Sequence, residues 1–220
     1  MKKIINSLYN NLTPGLIKIK GLSISQEKKE KFYNYLKEEL LKLKGNDFPH
    51  PNFKRTRELY KNFKIDPTKY RPSSEALWRR FKKKGEFPKI NPIVDLINIF
   101  SLKFQISCGL YDLNKIKGDI HIKIGKEEDF YQGIRKKKVS LKGKIVLKDA
   151  LGAFGNPSSD SLRTSVTNDS ENIIIFIFFS NNFKEVEMES FSTELKKIFE
   201  KFFTIRSISL KIPRNNEIDF

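Results

Sequence analysis

The sequence predicts an α+β fold in which helices cover a mixed sheet or sandwich, and three observations carry that prediction. Apolar residues recur at helical spacing through 32–43 and again through 93–104. Strict two-residue alternation at 119–124 and an apolar run at 173–179 mark strands. The 220 residues carry a 38% hydrophobic share that includes 19 Phe, enough for a substantial buried core in one domain with a small N-terminal lobe.

The elements follow in order. Residues 16–24 alternate apolar and polar side chains, as a half-buried strand does. Ser25 is an N-cap for a helix whose Phe32, Leu36, Leu40 and Leu43 share a face, and Gly45 stops it. The two prolines of 46–53 mark a boundary, a short helix covers 56–63, and Asp66-Pro67 turns the chain. Ser73 or Ser74 caps the next helix, where Leu77, Trp78 and Phe81 meet and Arg79, Arg80, Lys82, Lys83 and Lys84 load the last turn. Asn91 as N-cap and Pro92 as first residue open a helix with the stripe Ile93, Leu96, Ile97, Phe100 and Phe104. Strands are expected at 119–124, 144–147, 172–180 and 205–212, with a helix over 190–203. Residues 150–167, rich in Gly, Ser and Asn, read as a long polar loop.

The net charge of +17 favours a polyanionic partner such as RNA, DNA or an anionic membrane surface, although Lys-, Asn- and Ile-rich composition also arises from an AT-rich genome. No apolar run reaches the roughly 18–20 residues that span a bilayer. The first fifteen residues lack the long apolar region of a secretory leader, so a cytoplasmic protein is expected. One cysteine, Cys108, excludes an internal disulfide and fits a reducing compartment.

Familiar catalytic signatures are absent. His50 and His121 have no metal-ligand spacing to each other or to Cys108, so neither a metal nor a cofactor is expected. His121, on the strand face opposite three isoleucines, should be solvent-facing. Cys108 reads as a packed rather than a reactive thiol. The segment 149–167 is a candidate ligand loop: Gly152 and Gly155 permit close backbone approach, while Asn156, Ser158, Ser159, Asp160, Arg163 and Thr164 add donors and acceptors. The alternative is a self-bonded surface loop, with Asp160 paired to Arg163.

Leu77, Trp78 and Arg79, then Gly85, Asn91-Pro92, Val94-Asp95 and Asn98, then Tyr111-Asp112 and Gly118, follow an order that resembles the B3/B4 domain. That domain is the tRNA-editing module of the β subunit of bacterial phenylalanyl-tRNA synthetase, and it also occurs as free-standing proteins. Gly155, Ser159-Asp160, Thr167 and Asn172-Ile173 extend the resemblance, which covers about 70–180. In the family a glycine-rich wall shapes the amino-acid pocket and an acidic side chain recognises the tyrosine hydroxyl. The position of the editing-site histidine falls here on Gly109, and Asn156-Pro157 alters the wall.

The resemblance implies a three-layer domain over 51–220, with residues 1–50 forming a strand–helix lobe packed on it. It implies an aminoacyl-tRNA deacylase that clears a mischarged ester in trans. Asn91 and Asn98 would orient water and the backbone at Gly152 and Gly155 would bind the oxyanion. Gly109, Asn156, Ser159, Asp160, Arg163 and Thr164 would surround the amino acid. Aminoacylated tRNA is the expected partner, alongside a translation-associated protein, with no membrane role. Arg79, Arg80, Lys82, Lys83, Lys84, Arg135, Lys136, Lys137 and Lys138 would contact its phosphates. A non-catalytic RNA-binding module and an amino-acid-binding sensor are the alternatives.

Overall fold

Seven consecutive apolar side chains, 173–179, are fully buried and organise the computed structural model, which describes residues 2–45, 50–85, 87–134 and 138–219. The elements run β1 (Lys3–Asn6), β2 (Leu12–Lys20), α1 (Gln26–Lys44), α2 (Asn52–Asn62), α3 (Ser73–Lys84), α4 (Pro92–Phe104) and β3 (Cys108–Asp112). After a 3-10 turn at Leu113–Lys115 come β4 (Ile120–Ile124), β5 (Phe130–Tyr131), β6 (Val139–Ser140), β7 (Ile145–Asp149), β8 (Gly152–Asn156), β9 (Ser159–Asp160) and β10 (Ile173–Ser180). The chain closes with α5 (Glu185–Phe202), β11 (Ser207–Lys211) and β12 (Glu217–Asp219).

Two sheets lie face to face under a layer of helices. The antiparallel sheet has the order β11-β2-β10-β3, so β10 is interior and β3 is an edge. The larger sheet, β12-β1-β4-β7-β8-β9, is mixed, because β1 runs parallel to β4. Alternation along β10 divides its side chains between two cores. Ile173, Ile175, Ile177 and Phe179 pack under α1, α3, α4 and α5. Ile174, Phe176 and Phe178 meet Ile4, Ile120, Ile122, Leu147 and Phe154 of the larger sheet. A strand buried on both faces reads as a continuous apolar run, which is why β10 was legible. Each of these side chains contributes about 1.5–3 kcal/mol of burial.

The fold is thus α+β in three layers, as the sequence predicted. Local signals for several elements hold: Ser25 accepts from the Lys28 amide at the start of α1, and Asn91 accepts from the Val94 amide ahead of Pro92. Other expectations need correction. The supposed loop 150–167 contains β8 and β9, because Ala153 and Phe154 are buried and Phe154 points into the inter-sheet core. The final helix starts at Glu185 rather than near 190, since the Lys184 amide donates to the Glu187 carboxylate and closes its first turn. β2 begins at Leu12 and includes Pro14, which the turn chemistry of Pro14-Gly15 concealed. β2 pairs with β10 through eight residues and with β11 through five. His121 is half-buried opposite Lys148, not fully solvated.

Candidate functional site at the edge of the smaller sheet

β3 is a sheet edge, and an edge leaves every second backbone amide without a strand partner. The chain satisfies those groups with the segment that follows β8. The Asp112 amide donates to the Thr164 carbonyl at 2.9 Å, and the Leu110 amide donates to the Asp160 carboxylate. Asn156 holds the β8–β9 turn: its Oδ1 accepts from the Ser158 and Ser159 amides, while its Nδ2 donates to the Tyr131 hydroxyl at 2.9 Å. Tyr131 in turn donates to the Ser159 carbonyl at 2.6 Å. The same turn is tied to the helical layer, where the Ser73 amide donates to the Pro157 carbonyl. Thr164 is fully buried and bonded to Ser161.

Tyr111 is the centre of this region. It lies two residues after Gly109 on β3, so both face the inter-sheet space. Its hydroxyl donates to Asp160 Oδ1 at 2.6 Å, and its ring sits edge-on to Phe154 with centroids 5.0 Å apart. A methyl group on Gly109 would come within 2.7 Å of the phenol carbon Cζ, and one on Gly155 within 2.7 Å of Cε1, each closer still to the hydroxyl. Both glycines are therefore required by close approach. Gly152, by contrast, occupies positive φ in the turn between β7 and β8.

Asp160 is half-buried, and desolvation pushes its carboxyl up to about 7 against the opposing pull of the Tyr111 hydroxyl and the Leu110 amide. Burial also pushes the Cys108 thiol up to about 12, with the Asp160 charge adding to the effect, so Cys108 is protonated at neutral pH and is no nucleophile. Asp95 on α4 is fully buried, accepts from the Ile90 amide and the Tyr33 hydroxyl, and is raised chiefly by burial. Among the described residues no group of three or more His, Cys, Asp or Glu could hold a metal ion.

The expected site residues separate into groups. Gly109, Gly155 and Asp160 converge on Tyr111, with Asn156 and Ser159 building the adjacent turn and Thr164 covering the strand edge. Arg163 does not pair with Asp160; it grips the buried Asp149 carboxylate with two bonds of 2.8 and 2.9 Å and reaches the Gly152 carbonyl. Gly152 thus belongs to the far end of β8. Asn98 is half-buried on α4, one turn before Ser101, which bonds the Cys108 thiol beside Asp160. Asn91 caps the start of α4, about 15 Å up the helix axis from Ser101 at 1.5 Å per residue. Tyr111 and Tyr131 were missed as site residues. The available signal for Tyr111 was the Gly-x-Tyr spacing on one strand, which places the phenol over the glycine.

Of the cationic residues expected to meet RNA, Arg79 is bound at 2.8 Å to the buried Glu75 carboxylate, which Arg57 also grips. Arg80, Lys82, Lys83 and Lys84 are exposed on α3, and Lys138 lies over the Phe130 ring at 3.8 Å. Arg135, Lys136 and Lys137 lie outside the described residues. Among the described residues no helix is long and apolar enough to cross a membrane.

Comparison with known proteins adds three findings. A family model described as the B3/4 domain matches residues 55–210. A stretch of 107 residues is 23% identical to "Uncharacterized protein YhzB" of Bacillus subtilis (strain 168), covering 49% of this chain and 45% of that protein. An N-terminal fragment of the phenylalanyl-tRNA synthetase β-subunit from Pyrococcus horikoshii superimposes with a TM-score of 0.44 at 12% identity, over 92% of this chain and 49% of that one. The chain spans about half the length of these relatives.

Proposed function

The chain belongs to the B3/4 domain family, and on that premise we propose that it hydrolyses a mischarged aminoacyl-tRNA ester in trans, with Asp160 activating the water. One observation carries this reading: a half-buried carboxyl raised to about 7 and pinned by the Tyr111 hydroxyl at 2.6 Å. A base with a pKa near the working pH is the efficient compromise between being deprotonated and being basic. The aminoacyl ester is already activated by its ammonium and the vicinal hydroxyl. Asp160 takes a proton from water as the oxygen attacks the ester carbonyl, and returns it to the departing ribose oxygen.

The same geometry bears on which amino acid is removed. In the related editing domain an acidic side chain reads a tyrosine hydroxyl; here Asp160 already holds the hydroxyl of Tyr111, and that ring fills the space between Gly109 and Gly155. On this reading a tyrosine ring has no room in that space, and the substrate carries a small or polar side chain that leaves Asp160 free to act as the base. Incubation with a panel of mischarged tRNAs tests this. Release is expected from small or polar esters and not from tyrosyl-tRNA; a panel as stable with the protein as without it rejects hydrolysis.

Tyr111→Phe gives a second, graded test. The hydroxyl stabilises the carboxylate, so its loss moves the Asp160 pKa further up. Because the base works only when deprotonated, the pH at which the rate levels off should rise and the rate at pH 7 should fall several-fold, with the plateau at high pH largely kept. An unchanged pH profile would remove Asp160 from the chemistry.

A non-catalytic RNA-binding module is the second reading, favoured by the absence of an imidazole at Gly109 together with the +17 charge. It requires tight, salt-sensitive tRNA binding with every ester left intact.

A further inference from the structure

We propose that the open end of the space between the two sheets is a phosphate-binding cavity for an RNA chain. The cavity has a volume of about 590 Å³, and Lys2, Lys18, Lys20, Lys117 and Arg206 line it together with Asn172. Among the described residues no carboxylate lines it.

The strand period explains why it lies there. On β2, Ile17 and Ile19 face the helices, whereas Leu12 and Leu16 face the larger sheet. Continuing the two-residue period puts Lys18 and Lys20 on the Leu12 and Leu16 face, where an apolar side chain would otherwise extend the inter-sheet core. The other cations arrive from separate segments. Lys2 precedes β1, Lys117 follows the 3-10 turn, and Arg206 precedes β11 and donates its amide to the Lys20 carbonyl at 3.0 Å.

Two of these cations have neutral local partners. Lys2 Nζ donates to the Ile116 carbonyl at 2.7 Å and Lys117 Nζ to the Asn114 carbonyl at 3.2 Å. Neighbouring carboxylates face other groups: Asp149 holds the Arg163 guanidinium and accepts from the Lys117 backbone amide, Asp112 takes Ser170 and Lys115, and Asp119 accepts from the Lys3 amide. Among the described residues no ion pair neutralises Lys2, Lys20, Lys117 or Arg206. The Lys18 ammonium is pushed below its usual range, first by burial and then by repulsion from Lys20 and Lys211. A positive potential of this kind is relieved by binding an anion.

Ammonium and guanidinium groups are phosphate ligands, the latter in bidentate fashion. The volume falls in the range that accepts a nucleotide-sized ligand, far more than one inorganic phosphate needs. Open to solvent and with charge spread over several segments, it suits consecutive phosphates of a strand, which position a substrate without reading its sequence.

The inference deepens the RNA-directed reading above, and the two fail separately, because the test scores binding and not turnover. Anisotropy of a labelled single-stranded RNA oligomer is measured against the full chain over a salt series. Lys20→Glu/Arg206→Glu is compared with a charge-matched control on exposed helical positions, Lys61→Glu/Lys197→Glu. The cavity variant should bind about tenfold more weakly at 0.1 M salt and lose about one unit of the log–log salt slope, roughly 0.7 per phosphate contact. The control should change less than about threefold, as distant charges are screened. Equal weakening in both variants overturns the cavity as an RNA site. Tight uptake of adenosine monophosphate by the native chain, with equal RNA affinity in the two variants, also overturns the assignment to RNA.

Discussion

Asp160→Asn is expected to slow ester hydrolysis by about 10²–10⁴, the usual contribution of a positioned general base. Asparagine keeps an oxygen that can accept from Tyr111 and removes the group that takes the proton. In the native protein kcat/KM should rise with pH, level off near 7 where the carboxyl becomes ionised, and lose that break in the variant. RNA affinity should stay within about threefold, since a phosphate cavity acts through other residues. Stability supplies an independent readout with a defined sign. The folded-state pKa of Asp160 lies above the unfolded value of about 3.9, so the folded state binds more protons in between. This carboxyl therefore lowers stability as pH rises from about 4 to about 7, and the variant should lack that decline. A variant with native rates and a native pH break would leave Asp160 as nothing more than a cap on the β3 edge.

What the sequence disclosed and what it withheld divide along the range of the interactions. Asn91 capping α4 ahead of Pro92, Ser25 capping α1, and the doubly buried β10 depend on neighbours within a few residues or on side-chain period, and all were readable. Gly-Ala-Phe-Gly-Asn has the composition of a turn, and only pairing with β7 makes it a strand, so β8 was read as loop. The site suffered in the same way. Gly109, Gly155 and Asp160 were picked individually, but the side chain that joins them, Tyr111, served only as a motif marker. Its contacts reach Phe154 and Asp160, more than forty residues away along the chain. Arg163 beside Asp160 in sequence suggested an ion pair; the β7–β8 hairpin instead brings Asp149 to it. On β2, alternation correctly marked Lys18 and Lys20 as polar-face residues, yet could not say that this face borders a cavity shared with Arg206.

Gly155→Ala should destabilise the fold by about 1–3 kcal/mol or more, the cost of forcing a methyl into a filled interior. In a chain of this size that lowers the melting temperature by roughly 3–10 °C. The new carbon would press on Tyr111 Cε1 at 2.7 Å, and Tyr111 has no retreat. Its ring is fully buried between Phe154 and Phe176, and its hydroxyl is fixed to Asp160. Nor can the glycine move, because Gly155 is paired with Leu147 on one side and Asp160 on the other. The decisive measurement is a double-mutant cycle with Tyr111→Leu. That change alone leaves a hollow and costs stability, but it also removes the atoms that collide with the methyl. The double variant should be more stable than the sum of the two losses by at least about 1 kcal/mol, as befits residues in direct contact. Additive losses would mean that Tyr111 does not fill the space between Gly109 and Gly155.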